Sequence, residues 1–195
     1  MAFTLCDFGC VATTAELLTY LKQDSVVDIY LQSPGIQHVR RGVHACAHVT
    51  GDALAALRCG GVLDCISALE VEGSLASACG IDVPALHVRF RRGDHWARQR
   101  IAVSGRQVVA HWHERRFRRR DALTNVEERR FRRPVVPLTR VPPDEALAQA
   151  LICVTPDEAR RLIALTEADG VLSAERVARI IAMAPRRTRQ ALRRS

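Results

Sequence analysis

Residues 13–46, TTAELLTYLKQDSVVDIYLQSPGIQHVRRGVHAC, decide how the amino-terminal part of this chain folds. Thr13 or Thr14 followed by Glu16 has the composition of a helix start, and Leu17, Leu18 and Leu21 then supply one apolar helical face. After a break, Asp24 or Ser25 is placed to cap a second helix, which Val26, Val27, Ile29, Tyr30 and Leu31 fill and Ser33-Pro34-Gly35 ends. Ile36–Arg40 and Val43–Cys46 flank Arg41-Gly42, which reads as a compact turn between two short strands. Helix, turn, helix and ribbon is the order of a winged helix-turn-helix, expected over residues 1–50. In such a module the second helix enters a major groove and the ribbon touches the backbone. Base readout then falls on Ser25, Asp28, Tyr30 or Gln32, with His38, Arg40 and Arg41 on the wing. The segment from Ser25 to Gln32 has no basic side chain, a composition that also suits a winged helix used only for protein contacts.

Outward from this stretch the pattern changes. Val62-Leu63-Asp64-Cys65-Ile66-Ser67-Ala68-Leu69 reads as a buried helix ending near Gly73. Leu86–Phe90 alternates with period two and Gln107–Trp112 resembles it, so both are expected as strands. Pro142-Pro143-Asp144 opens a helix through about Ile152. Thr155-Pro156-Asp157-Glu158 opens another, which stops at Gly170, and Ser173-Ala174-Glu175-Arg176 starts a third. Pro185–Ser195, with five arginines and little apolar mass, reads as a frayed end or an interaction tail. The expected class is mixed α/β (α+β): a winged helix-turn-helix over 1–50, a small α/β domain over 54–170, and C-terminal helices with a basic tail over 171–195.

Charge is distributed unevenly along the 195 residues. Residues 1–88 hold 4 basic and 9 acidic side chains, 89–133 hold 15 and 5, and 134–195 hold 10 and 7, for net charges of −5, +10 and +3 within a total of +8. Every basic residue except Lys22 is arginine. Guanidinium groups bind phosphate oxygens in bidentate fashion and displace counterions, so the central block has the electrostatic character of a nucleic-acid contact. Two Arg-Arg-Phe-Arg-Arg units, at 115–119 and 129–133, recur fourteen residues apart. The expected phosphate contacts are Arg115, Arg116, Arg118, Arg119, Arg120, Arg129, Arg130, Arg132 and Arg133. The guanidinium groups between Arg89 and Arg133 are expected to gather on one exposed surface.

Other chemistries have weaker support. A restriction-type nuclease needs clustered carboxylates and usually a nearby lysine, which Lys22 does not provide, so no enzymatic activity is expected. Ser67 and Ser104 lack a histidine–acid order, and the glycines make no phosphate-cradling loop. His44, Cys46 and His48 alternate, as do His111 and His113 around Trp112, but four ligands must converge to hold zinc. Spacing alone does not bring them together, so neither metal nor cofactor is expected. His95-Trp96 and Trp112 have the alternatives of stacking on bases or packing at a core boundary. The seven cysteines read as buried hydrophobes in a reducing compartment. No apolar run approaches the roughly 20 residues of a membrane span. With no secretory leader recognised at Met1–Cys10, a cytoplasmic location is expected.

Gly9-Cys10-Val11-Ala12-Thr13-Thr14-Ala15-Glu16-Leu17 leading to Val39-Arg40-Arg41-Gly42-Val43-His44-Ala45 resembles the winged-helix domain of AbiEi-family antitoxins from type IV toxin–antitoxin systems. Gly60-Gly61-Val62-Leu63, Ser67-Ala68-Leu69, Leu86-His87-Val88 and Val136-Pro137-Leu138-Thr139-Arg140 resemble its following α/β region, so the likeness spans roughly residues 5–170. It implies a transcriptional autoregulator that binds promoter DNA, without the C-terminal endonuclease-like domain of longer relatives. The chain departs from the pattern between Ser25 and Gln32, where relatives usually carry several basic residues. The leading expectation is therefore a regulator of double-stranded DNA, of antitoxin or phage-repressor type. Its competitors are an interaction protein that neutralises a cognate toxin or other protein partner without reading DNA, and a truncated relative of a defence endonuclease.

Overall fold

The computed structural model describes residues 5–69, 85–91, 102–103, 106–113 and 139–193. Among them are eight α-helices, a short 3-10 helix and seven strands in two small sheets, a mixed α/β arrangement. The chain divides into two compact units. Of the described residues, the first holds 5–62, 90–91, 112–113 and 139–140, and the second holds 63–69, 85–89, 102–103, 106–111 and 141–193.

The first unit opens with the 3-10 helix Leu5–Phe8 and β1 (Val11–Thr13). There follow α1 (Thr14–Leu21), α2 (Asp24–Leu31), β2 (Ile36–Arg40), β3 (Val43–Cys46) and α3 (Gly51–Cys59). The Thr13 side chain accepts from the Glu16 N–H while the Glu16 carboxylate accepts from the Thr13 N–H, a reciprocal cap that satisfies two helix-end donors. The expected cap of α2 is corrected. Gln23 occupies that position in extended backbone without a side-chain bond, and Asp24 is already inside the first turn. Val11-Ala12-Thr13 adds a strand ahead of the helix. The sheet order is β1-β3-β2, antiparallel throughout, with Val11 opposite Ala45 and Ile36 opposite Cys46. Val11, Ala12, Leu17, Val27, Val43 and Ala45 bury their side chains together with Leu5 and Leu57. The strands and one stripe from each helix thus share an apolar interior.

The second sheet comprises β4 (Val62–Leu63), β5 (Ala85–Arg91), β6 (Ala102–Val103) and β7 (Arg106–His113), in the order β4-β5-β7-β6. The buried helix expected over 62–69 is thereby divided. Val62 and Leu63 pair as strand, and α4 (Cys65–Leu69) starts only after Asp64, whose carboxylate takes the Cys65 N–H at 2.7 Å. Four helices follow: α5 (Pro143–Cys153), α6 (Pro156–Ala168), α7 (Ala174–Met183) and α8 (Arg186–Arg193). In this unit α4 and α7 pack on α5, and α8 packs on α6. Leu63, Leu86, Val88, Leu147, Leu162 and Val177 are fully buried. Of the two expectations for Pro185–Ser195, a frayed end or an interaction tail, fraying is corrected over Arg186–Arg193, which is helical and is held by the Arg160 guanidinium donating to the Ala191 carbonyl at 3.1 Å. Among the described residues, no helix is long and apolar enough to cross a membrane.

Candidate metal centres and nucleic-acid interface

The first unit draws four potential ligands to one point. Cys6 comes from the 3-10 helix, Cys10 from the turn before β1, Cys46 from the end of β3 and His48 from the turn beyond it, with donor atoms all within 4.8 Å of one another. The backbone explains the convergence. Gly9 N–H bonds the Cys6 carbonyl at 2.9 Å and Cys10 N–H bonds the Leu5 carbonyl at 3.1 Å, so the chain doubles back between the two cysteines. Gly9 and Cys10 take positive φ values of 75° and 67°, the first easy for glycine and the second unfavourable for a residue with a Cβ. Cys46 N–H then bonds the Cys10 carbonyl at 2.9 Å, and Val49 N–H bonds the Cys46 carbonyl at 3.0 Å, a tight turn that folds His48 back. The Cys6 and Cys46 sulfurs stand 3.4 Å apart, far beyond a disulfide bond, and both are free thiols. Burial, then the contact with Cys6, pushes the Cys10 thiol up to about 11, and burial likewise raises Cys46.

A second set lies in the second unit. Cys65 opens α4, His87 lies on β5, His111 on the adjacent β7, and Cys153 ends α5; these donor atoms also fall within 4.8 Å of one another. His87 Nδ1 and His111 Nε2 approach to 3.0 Å with the rings stacked. Burial, then the facing charge of His111, holds the His87 imidazole down to about 4, and burial also lowers His111. The Cys65 thiol bonds to Cys153, which raises Cys65 and holds Cys153 down to about 6. The group thus sets two sulfurs and two imidazole nitrogens facing one another.

Beside this set is a buried ion pair. Arg89 is 6 % exposed and Asp64 fully buried; Nε donates to Asp64 Oδ2 at 2.8 Å and Nη2 to Oδ1 at 2.9 Å. Arg89 Nη1 also bonds Glu145 on α5. The Asp64 N–H donates to the His87 carbonyl at 3.0 Å, and the Ser67 hydroxyl accepts from the His87 N–H at 3.0 Å. These bonds tie the start of α4 to the strand that carries His87. No protein-family model and no curated protein matches this sequence.

The expected nucleic-acid contacts distribute as follows. Ser25, Asp28 and Gln32 are exposed on or at the end of α2, and Tyr30 is half-buried against the first core. His38 and Arg40 are exposed on β2, and Arg41 is exposed in the turn that follows. Val26 and Ile29 are exposed on the same helix, Ile29 at 72 %. Arg115, Arg116, Arg118, Arg119, Arg120, Arg129, Arg130, Arg132 and Arg133 lie outside the described residues, as does His95-Trp96. The expectation that every guanidinium from Arg89 onward lines an exposed surface is corrected at Arg89, which the carboxylate of Asp64 holds inside the protein. Trp112 is 48 % exposed, with one face against Phe90 at a ring separation of 5.6 Å, a boundary position.

Sequence reasoning noticed Cys46 and His48 but not their partners. His44, grouped with them by alternation, turns away to bond Thr14 at 3.0 Å between Nε2 and Oγ1. The spacing of Cys6 and Cys10, with three residues between them, is the available signal for the first set. Cys65, His87 and Cys153 are too widely separated to form a local motif, and only strand pairing and the packing of α4 on α5 bring them together.

Proposed function

We propose that this chain is a DNA-binding regulator of the antitoxin or phage-repressor type, whose first unit acts as a winged helix. The observation that carries the reading is the β2–β3 hairpin, which follows two consecutive helices and presents Arg40 and Arg41 to solvent near its turn. The net charge of +10 over residues 89–133 supports it, since a block of that density favours a polyanion. The exposed side of α2 carries Ser25, Asp28 and Gln32 and no cation, so affinity comes chiefly from phosphate contacts, with base readout limited to hydrogen bonds from these three side chains.

Fluorescence anisotropy with a duplex taken from upstream of the chain's own reading frame tests this. If about six or more phosphates are engaged, affinity falls by about a thousandfold or more between about 50 and 200 mM salt. Arg40→Ala with Arg41→Ala lowers affinity and reduces the salt slope by about one per lost phosphate contact. Absence of duplex binding, or binding indifferent to salt, refutes the reading.

A second reading draws on a specific feature of α2. Val26 and Ile29 stand one helical turn apart in solvent, a small apolar patch on a helix that also exposes Asp24 and Asp28. It suits a protein partner with an apolar, basic surface, as for an antitoxin that neutralises its toxin directly. A stable complex with a neighbouring gene product that Ile29→Glu abolishes, together with no duplex affinity, selects this alternative.

A further inference from the structure

We propose that the chain binds two zinc ions at closed, structural sites, one held by Cys6, Cys10, Cys46 and His48 and the other by Cys65, His87, His111 and Cys153. The two clusters lie in different units and use different elements, so each carries its part of the inference independently.

The donor set comes first. Three sulfurs with one imidazole, and two sulfurs with two imidazoles, are combinations that tetrahedral zinc takes in structural sites. Four protein ligands leave no open position for a substrate or an activated water, which distinguishes such sites from catalytic zinc. Geometry agrees. Metal bonds of about 2.0–2.3 Å imply ligand-to-ligand edges of about 3.3–3.8 Å in a regular tetrahedron. Two edges, 3.4 Å between Cys6 and Cys46 and 3.0 Å between His87 and His111, lie within a few tenths of an ångström of that range, and all the others fall within 4.8 Å. In the second cluster His87 offers Nδ1 and His111 offers Nε2.

The backbone supplies a separate argument. Of the three non-glycine residues with positive φ among those described, two are Cys10 at 67° and Cys65 at 55°, one in each cluster. The left-handed conformation is unfavourable for a residue with a Cβ and persists where surrounding structure over-determines it. A cysteine that merely filled apolar space would give no reason for it.

The surroundings of the second cluster also suit a cation. Both Asp64 oxygens are engaged by Arg89, and Oδ1 additionally by the Cys65 N–H, so this carboxylate fixes a ligand-bearing residue without competing for the ion. Such outer partners orient first ligands and tune the site. Binding takes the cysteines as thiolates and releases their thiol protons to solvent, with no change in oxidation state. Disulfide formation would use the cysteines in pairs but leave His48, His87 and His111 gathered at these points without a role.

The test measures metal on the full chain. Protein purified with zinc in the medium and then desalted should retain two zinc ions per chain by mass spectrometry of the elements. Cys6→Ser with Cys46→Ser should lower that to one, and so should Cys65→Ser with Cys153→Ser. A pair that leaves the ratio unchanged overturns the site it belongs to. Because a variant that loses metal also risks losing its fold, cobalt titration of the metal-stripped wild-type chain provides a second readout. Intense visible bands of tetrahedral cobalt with thiolate charge transfer should grow until two equivalents are bound. Weak bands of a six-coordinate ion overturn the proposal, as does a metal-free chain whose mass is lower by two hydrogens for each cysteine pair.

Discussion

Asp64 and Glu145 both hold Arg89, yet they should differ sharply in what they contribute. Asp64 is fully buried and meets the guanidinium through two nitrogens, whereas Glu145 is 47 % exposed and meets one. Asp64→Ala strands a charge inside the protein and should cost about 3–5 kcal/mol in urea denaturation. Glu145→Ala leaves the pair intact and should cost less than about 1 kcal/mol. Equal losses would show that Arg89 is not fixed by Asp64. Nothing in the residue order marks this pair, because Asp64 and Arg89 are 25 positions apart and charge alone does not reveal burial. Arginine-rich composition drew Arg89 into the expected phosphate-binding surface; packing assigned it to the interior. Cys46-Ala47-His48 was different, since a turn between neighbouring ligands is a local event and its residues can be singled out directly.

The elements themselves were most legible where their ends carry reciprocal bonds. Thr13 with Glu16 and Thr155 with Glu158 both form the paired cap that their spacing suggests. Thr155→Ala should destabilise the protein by about 1 kcal/mol. The bonds from Thr155 hold the Glu158 carboxyl below its ordinary 4.5. A carboxyl that is more acidic in the folded chain stabilises it above the unfolded value and loses that contribution as pH falls through the folded one. The deficit of Thr155→Ala in thermal melts should therefore narrow below about pH 4.5, and a deficit that widened on acidification would contradict the cap. The start of α2 was less legible: Gln23, Asp24 and Ser25 are all polar, and backbone geometry rather than side-chain type selects Gln23. On the apolar side, Leu17→Ala should cost about 2–5 kcal/mol, while Ile29→Ala at an exposed position should stay within about 0.5 kcal/mol.

At the scale of the whole molecule, periodicity and caps revealed the helices after Pro143, the strands around Val88 and Val109, and the hairpin at Arg41-Gly42. They did not reveal how the chain partitions. The first unit recruits residues near 90 and 112 that lie far along the sequence, and a boundary drawn from composition follows the chain rather than its contacts. This partition has a measurable consequence. In amide hydrogen exchange, Cys65→Ser with Cys153→Ser should lose protection over α4, β5 and α5 while residues 11–46 keep theirs, because local stability follows cooperative units. Uniform loss across both units would mean that they open together.

One strand has an effect on assembly that goes beyond the residues it carries. Along β5 the apolar Leu86, Val88 and Phe90 alternate with the polar His87 and Arg89, so hydrocarbon and polar groups occupy opposite sides of the same ribbon. Sliding this ribbon by one position against its neighbours would thrust a guanidinium into hydrocarbon and offer leucine and phenylalanine to a carboxylate. Misaligned pairings are thereby penalised from both sides at once, and the chain has a built-in proofreader for the alignment of its second sheet.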